Sequence, residues 1–223
     1  MPASVVTFKG RELLAFRLKG TPAATTEPFC MGWGVTPPAG GPFTANQTDV
    51  APFNEGPESR IGSGVTTSSL VTTATTNDTY QVVGTIVATG ARTVVETFLS
   101  ELTTKPTTNT VAAAGVVGSL SATTLNTGTA FSPGNGSYIQ IRTEVMQVTA
   151  GSGTAALTVV RAQNGTTAIA TIAVGDIVTL GNPPGTGTFG TTAGSLFAHA
   201  DHGVVTLSTG DSIVYSWRVQ VQS

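Results

Sequence analysis

The clearest hydrophobic pattern lies near the C-terminus. Ile213, Tyr215, Trp217, Val219 and Val221 recur at every second position, while Ser216, Arg218 and Gln220 fall between them. That is the spacing of an antiparallel strand with one covered face. Tyr80, Val82, Gly84, Ile86 and Ala88 repeat it, after a Thr/Ser alternation with Leu70 and Val71 and a turn signal at Asn77-Asp78-Thr79. Arg92 to Phe98 read as the next strand after Gly90. A different unit lies between these, opened by Lys105-Pro106 and closed by Gly181-Asn182-Pro183-Pro184-Gly185. Within it, Ile139, Ile141, Thr143 and Val145 alternate with Gln140, Arg142 and Glu144. The apolar phase then shifts to Met146 and Val148, as a β-bulge would shift it. Ala150-Gly151-Ser152-Gly153 reads as a hairpin loop into Leu157 and Val159. Asn164-Gly165 predicts a tight turn before Thr166 to Ala173, and Gly175-Asp176 turns the chain into Ile177 to Leu180.

The N-terminal quarter is different. Leu14, Phe16 and Leu18 alternate with Ala15, Arg17 and Lys19, a half-buried strand pattern, with a short helix through Leu13, Leu14, Arg17 and Leu18 as the competing reading. Lys9, Arg11, Arg17 and Lys19 make this arm cationic, either as a solvated edge or as a surface for an acidic partner. Seven prolines between residues 20 and 64 exclude long ladder strands there. So long an irregular stretch in a compact domain is usually functional. Its aromatics Phe29, Trp33, Phe43 and Phe53 either pin the stretch to its own core or anchor a neighbouring subunit. The expected architecture is all-β: an antiparallel sandwich or barrel host domain (65–103 with 186–223), an inserted small β meander or barrel (104–185), and a Pro/Gly-rich arm and extended loop (1–64).

Composition narrows the functions. The chain has 223 residues, of which 10% are charged, and a net charge of −2. No global basic field exists to hold nucleic acid or an anionic membrane. One cysteine, Cys30, excludes an internal disulfide framework and a Cys-cluster zinc site, and reads as a small buried or half-buried side chain rather than a nucleophile. No apolar run is long enough to span a membrane as a helix, and the N-terminus carries no apolar signal segment.

Individual motifs add little chemistry. Gly185 to Gly190 fits G-x-G-x-x-G, but Pro183 and Pro184 stand where the fingerprint needs a strand, so a linker is the sounder reading. His199 and His202 flank Asp201, yet on a strand the two histidines face opposite ways and would not share a metal. Glu55, Glu58 and Arg60 form the one charged cluster of the loop, without the signs of a glycosidase pair. Asn46, Asn77, Asn135 and Asn164 begin N-x-[ST] triplets, as chance produces in a Thr-rich chain. No cofactor is expected.

Two segments resemble proteins of tailed-bacteriophage particles. Tyr138-Ile139-Gln140-Ile141-Arg142-Thr143-Glu144-Val145-Met146-Gln147-Val148-Thr149, continued by Leu157-Thr158-Val159-Val160-Arg161-Ala162-Gln163-Asn164-Gly165-Thr166, is similar to a small β module of virion proteins. Ala162 stands where that module often has Gly. Thr75 to Ile86, with Leu196 to Ala200 and Leu207 to Ile213, resembles a second virion pattern. The resemblance implies a non-enzymatic virion structural protein, most like a capsid cement (decoration) protein. Such a protein is made in the host cytoplasm and sits on the outer capsid surface. Its partners would be the major capsid protein and itself, as a homotrimer, with no nucleic acid and no membrane. On that reading Lys9, Arg11, Arg17, Lys19, Phe29, Trp33, Phe43 and Phe53 would meet partners. Neck, tail and fibre-anchoring proteins share the same vocabulary, and a carbohydrate-binding β-sandwich is a more distant alternative.

Overall fold

The computed structural model describes residues 4–19, 27–36, 44–62, 65–112, 120–121, 123–182 and 196–220. Their strands form three antiparallel sheets, and one helix accompanies them. The all-β expectation holds, with β-sandwich and barrel-like parts.

In the first sheet, β1 (Ser4–Val6), β12 (Leu196–Leu207), β5 (Arg92–Ser100) and β2 (Cys30–Val35) lie in that order. β13 (Ser212–Gln220), β4 (Thr79–Val87) and β3 (Thr66–Val71) form the second. The two share a core that includes Trp33, Val82, Ile86, Leu99, Phe197 and Trp217. The period-two stripes on β4 and β13 face this core as their spacing requires. β5 has buried residues on both faces, because residues 44–62 cover its outer side while the second sheet covers its inner side. The Thr/Ser run at 66–71 is a strand of its own, antiparallel to β4. β2 occupies the gap between Pro28 and Pro37 and pairs with β5 over six residues.

Residues 8–18 form a helix, α1 (Phe8–Leu18), rather than the expected edge strand. Thr7 sits at the N-cap with extended φ and ψ, and its hydroxyl accepts the Gly10 amide. No residue of α1 is β-branched, so nothing in its composition opposes a helix. Leu13 is buried, whereas Leu14 and Leu18 of the supposed strand face are exposed. Helical spacing therefore overrode a short alternation.

The third sheet takes only residues 108–181. β6 (Thr108–Thr110), β11 (Ile177–Gly181), β8 (Tyr138–Ile141), β9 (Glu144–Ala150), β10 (Thr154–Gln163) and β7 (Thr124–Phe131) follow in that order. A bridge between Val111 and Thr127 brings the ends of this order together, giving a nearly closed barrel with a core of its own around Leu125, Ile139, Met146 and Leu157. The phase shift expected as a bulge at Val145–Met146 coincides with a register shift in the β9–β10 pairing, where Val160 pairs with Gln147 but Gln163 with Val145, and a hairpin between β8 and β9 precedes it. Ile141 pairs with Glu144, and Arg142 takes a φ of 50° in the connection. Reversal and bulge both switch the inward-facing phase, so the pattern alone does not separate them. The Asn164-Gly165 turn forms with both residues at positive φ, but 166–173 makes no ladder strand. Its amide at Ile169 goes to the Glu144 carboxylate instead.

Candidate functional site

The outward side of α1 is the most unusual surface. Arg11, Leu14, Ala15, Arg17, Leu18 and Lys19 are all exposed, and Leu18 is 90% exposed. A helix of a single chain ordinarily turns its leucines to the core. Here the inner side is already filled by Gly10 and Leu13 against β12. A Cβ on Gly10 would overlap the Phe197 carbonyl oxygen, which measures how closely α1 lies on that strand. The outer leucines thus form an apolar stripe among cations.

A groove of about 510 Å³ runs beside this stripe, lined by Leu14, Arg17, Leu70, Tyr80, Phe197 and Val219 among others. Tyr80 donates from its hydroxyl to Glu27 at 2.8 Å and to the Pro28 carbonyl at 3.1 Å. Burial, and then the Glu27 carboxylate, push the Tyr80 phenol well above its ordinary range. Tyr80 therefore holds its proton and fixes the groove's rim rather than exchanging protons.

The other residues expected to meet partners are placed differently. Lys9 is 1% exposed and pairs with Glu12 at 3.0 Å, so this cation belongs to the helix's own packing. Trp33 and Phe53 are buried, pinning the loop region to the chain's own core. The Trp33 indole N–H reaches Glu58 at 3.3 Å. Phe29 is half-buried, and Phe43 lies outside the described residues, as does the Gly185–Gly190 motif. Cys30 is fully buried, and burial pushes its thiol up to about 11, which makes it an inert core residue.

The loop's charged cluster is structural. Arg60 binds Glu55 through Nε at 2.9 Å, both nearly buried. Glu58 accepts from Arg92 at 2.7 Å and from the Thr89 amide at 3.0 Å. Burial raises the Glu58 carboxyl, but Arg92 and Thr89 outweigh it and hold it down at about 2. Glu144 is similarly committed within the barrel, bidentate to Arg161 and accepting the Ala162 and Ile169 amides.

A buried polar centre around His199 was not visible along the chain. His199 on β12 is fully buried. Its Nε2 lies 3.1 Å from Asp49 Oδ2 and 3.2 Å from the Asn46 carbonyl oxygen, and its Nδ1 lies 3.4 Å from Glu96 Oε2. Burial alone would lower the imidazole. The hydrogen bonds and charges of Asp49 and Glu96 reverse that and raise it to about 10, so the ring carries its proton at neutral pH. Burial also raises Glu96, with the imidazolium opposing. Glu96 Oε1 accepts the Phe53 amide at 2.8 Å, and Asp49 Oδ2 the Asn46 amide at 2.8 Å. Every polar atom of the imidazole is thus engaged within the protein, and the centre holds a loop in place rather than presenting a base to solvent. His202 lies apart, its ring stacked on Tyr215 with centroids 6.2 Å apart. The expectation that the two histidines separate is met, and no metal-holding group of His, Cys, Asp or Glu occurs among the described residues.

The polar centre continues into the barrel. Gln140 donates to Asp49 Oδ1 at 3.2 Å, and its Oε1 accepts the Val50 and Ala51 amides at 2.6 and 2.9 Å. Asn164 donates to the Thr48 carbonyl at 2.8 Å. Residues 45–53 therefore bind the first sheet through His199 and Glu96, and the barrel through Gln140 and Asn164. Asp49, Glu96, Gln140 and His199 come from four distant segments, so no local spacing announces them.

Comparison with known proteins finds no matching family model, no matching curated protein and no matching solved structure. Among the described residues no helix is long and apolar enough to cross a membrane.

Proposed function

We propose that this protein is a non-enzymatic structural component of a phage particle, a capsid cement protein that bridges neighbouring capsid subunits. The observation that carries the reading is the solvent-facing side of α1. Leu14 and Leu18 sit there among Arg11, Arg17 and Lys19, beside an apolar groove. Burying exposed leucines against another subunit contributes roughly 25 cal/mol per Å² of apolar surface. The flanking cations suit an acidic rim on the partner. The resemblance of the 138–166 segment to a virion β module supplies the particle context. The committed hydrogen bonding of His199, Glu58 and Glu144 is in keeping with a protein that holds rather than transforms.

Sedimentation with heads of the encoding phage, stripped of accessory proteins, tests this. Saturation at hundreds of copies per head, together with greater heat resistance, is the expected outcome. Replacing Leu14 and Leu18 by Ser should reduce occupancy at least about ten-fold, as the loss of two apolar anchors predicts. Binding at a dozen copies or fewer would instead make it a neck, tail or fibre-anchoring component, and absence of binding would overturn the reading.

A further inference from the structure

The outer edge of β13 lacks the usual defences of an exposed sheet edge. Among the described residues β13 pairs with β4 alone, over nine consecutive positions from Ser212 to Gln220 with no break in register. It holds no proline and a single charge, Arg218. Long, flat, nearly uncharged edges are templates for pairing with another chain, and natural proteins normally blunt them. The other edges differ. β1 is three residues long. The free side of β2 is bridged by Glu55 and Ile61. β3 is exposed over most of its length and carries Ser and Thr instead of an apolar stripe.

The side chains of β13 are also incompletely covered. Ile213, Tyr215 and Val219 are only half-buried although they pack on the core. Among the described residues the buried Trp217 indole N–H finds no acceptor. A cleft of about 340 Å³ opens beside them, lined by Val6, Ala198, Ala200, Tyr215, Trp217 and Val219 among others. On the outward side, Val214 is 64% exposed.

We propose that β13 pairs antiparallel with β13 of a second copy of this chain, about a two-fold axis through Ser216, merging two three-stranded sheets into one continuous sheet. The sequence of the strand is self-complementary in this register. Ser212 meets Gln220, Ile213 meets Val219, Val214 meets Arg218, Tyr215 meets Trp217, and Ser216 meets itself. Residues directly opposite in an antiparallel pair share a face. Every core-facing residue therefore meets a core-facing residue. This register also engages all nine residues. It sets the one cation against an aliphatic side chain, whereas centring on residue 218 would oppose two arginines. The Tyr215 and Trp217 rings of the second copy extend the aromatic row past the end of the cleft. A two-fold contact is isologous, and it does not depend on the capsid reading; it differs from the homotrimer that the phage resemblance implies.

Light scattering after size exclusion, on the full chain, reads the assembly directly. The expected mass is twice 22.5 kDa. Ser216 is exposed and faces its own copy, so Ser216→Lys and Ser216→Glu should each weaken dimerisation at least about ten-fold through like-charge opposition. Both variants should keep the wild-type circular dichroism spectrum. Mixing them one to one should restore a dimer, which only a contact placing residue 216 against itself predicts. A monomer up to the solubility limit, a trimer, or a dimer indifferent to both substitutions would overturn the proposal.

Discussion

His199 sits where two buried carboxylates would otherwise face each other. Asp49 and Glu96 hold it from either side, and its protonated ring lets both acids stay inside. Its value in the fold, about 10, lies above the ordinary 6.5. The stabilisation is therefore complete below about pH 6.5 and is lost as pH rises through about 10. Urea denaturation from about pH 7 to about 9.5, below the ordinary tyrosine range, should show stability falling steadily. In His199→Gln the same window should be nearly flat, with stability at pH 7 lower by about 3–5 kcal/mol, as for breaking a buried ion pair. A wild-type curve that is flat there would show that the ring is neutral in the fold. None of this was legible in the sequence. The Phe-Ala-His-Ala-Asp-His-Gly stretch shows two histidines on opposite faces, but the acids that matter lie on other segments.

At the scale of elements, legibility followed chemistry that is local to the backbone. The alternation on β4 and β13 and the turns at Gly151–Gly153 and Asn164-Gly165 could be read because each is fixed by side-chain period or positive φ within a few residues. Residues 8–18 were misread because three apolar residues at alternate positions satisfy a strand as well as part of a helix. What decides is the Thr7 cap and the docking of α1 on β12. Gly10 shows how docking dominates. By helix propensity alone, Gly10→Ala should stabilise by about 1 kcal/mol. A Cβ there meets the Phe197 carbonyl oxygen, a backbone atom that cannot swing aside. The substitution should therefore destabilise by about 1–3 kcal/mol, read as a lower midpoint in thermal unfolding. A rise in midpoint would mean that α1 is less tightly seated than the structure has it.

The whole molecule is a sandwich and a barrel, each with its own core, fastened by a loop that contains little secondary structure. Sequence composition marked residues 20–64 as irregular and left their aromatics to either the chain's own core or a neighbouring subunit. Of their described parts, 27–36 supplies β2 and 44–62 turns inward, because the buried amides of the latter find acceptors in Glu96 and Gln140. Gln140 is the barrel's principal hold on this loop. Gln140→Ala would strand the Val50 and Ala51 amides and one oxygen of Asp49, each costing about 1–3 kcal/mol when left unpaired in the interior. The barrel's own core lies on the opposite side of β8, around Ile139 and Ile141, and is untouched by the change. The loss should therefore fall on the coupling between the two parts rather than on either core. Calorimetry of the wild type should show one transition, with calorimetric and van't Hoff enthalpies equal. In Gln140→Ala the transition should split, with the barrel retaining its midpoint and the sandwich melting earlier. A single transition shifted as a whole would mean that the two cores are coupled by more than this loop, and that Gln140 contributes stability without governing cooperativity.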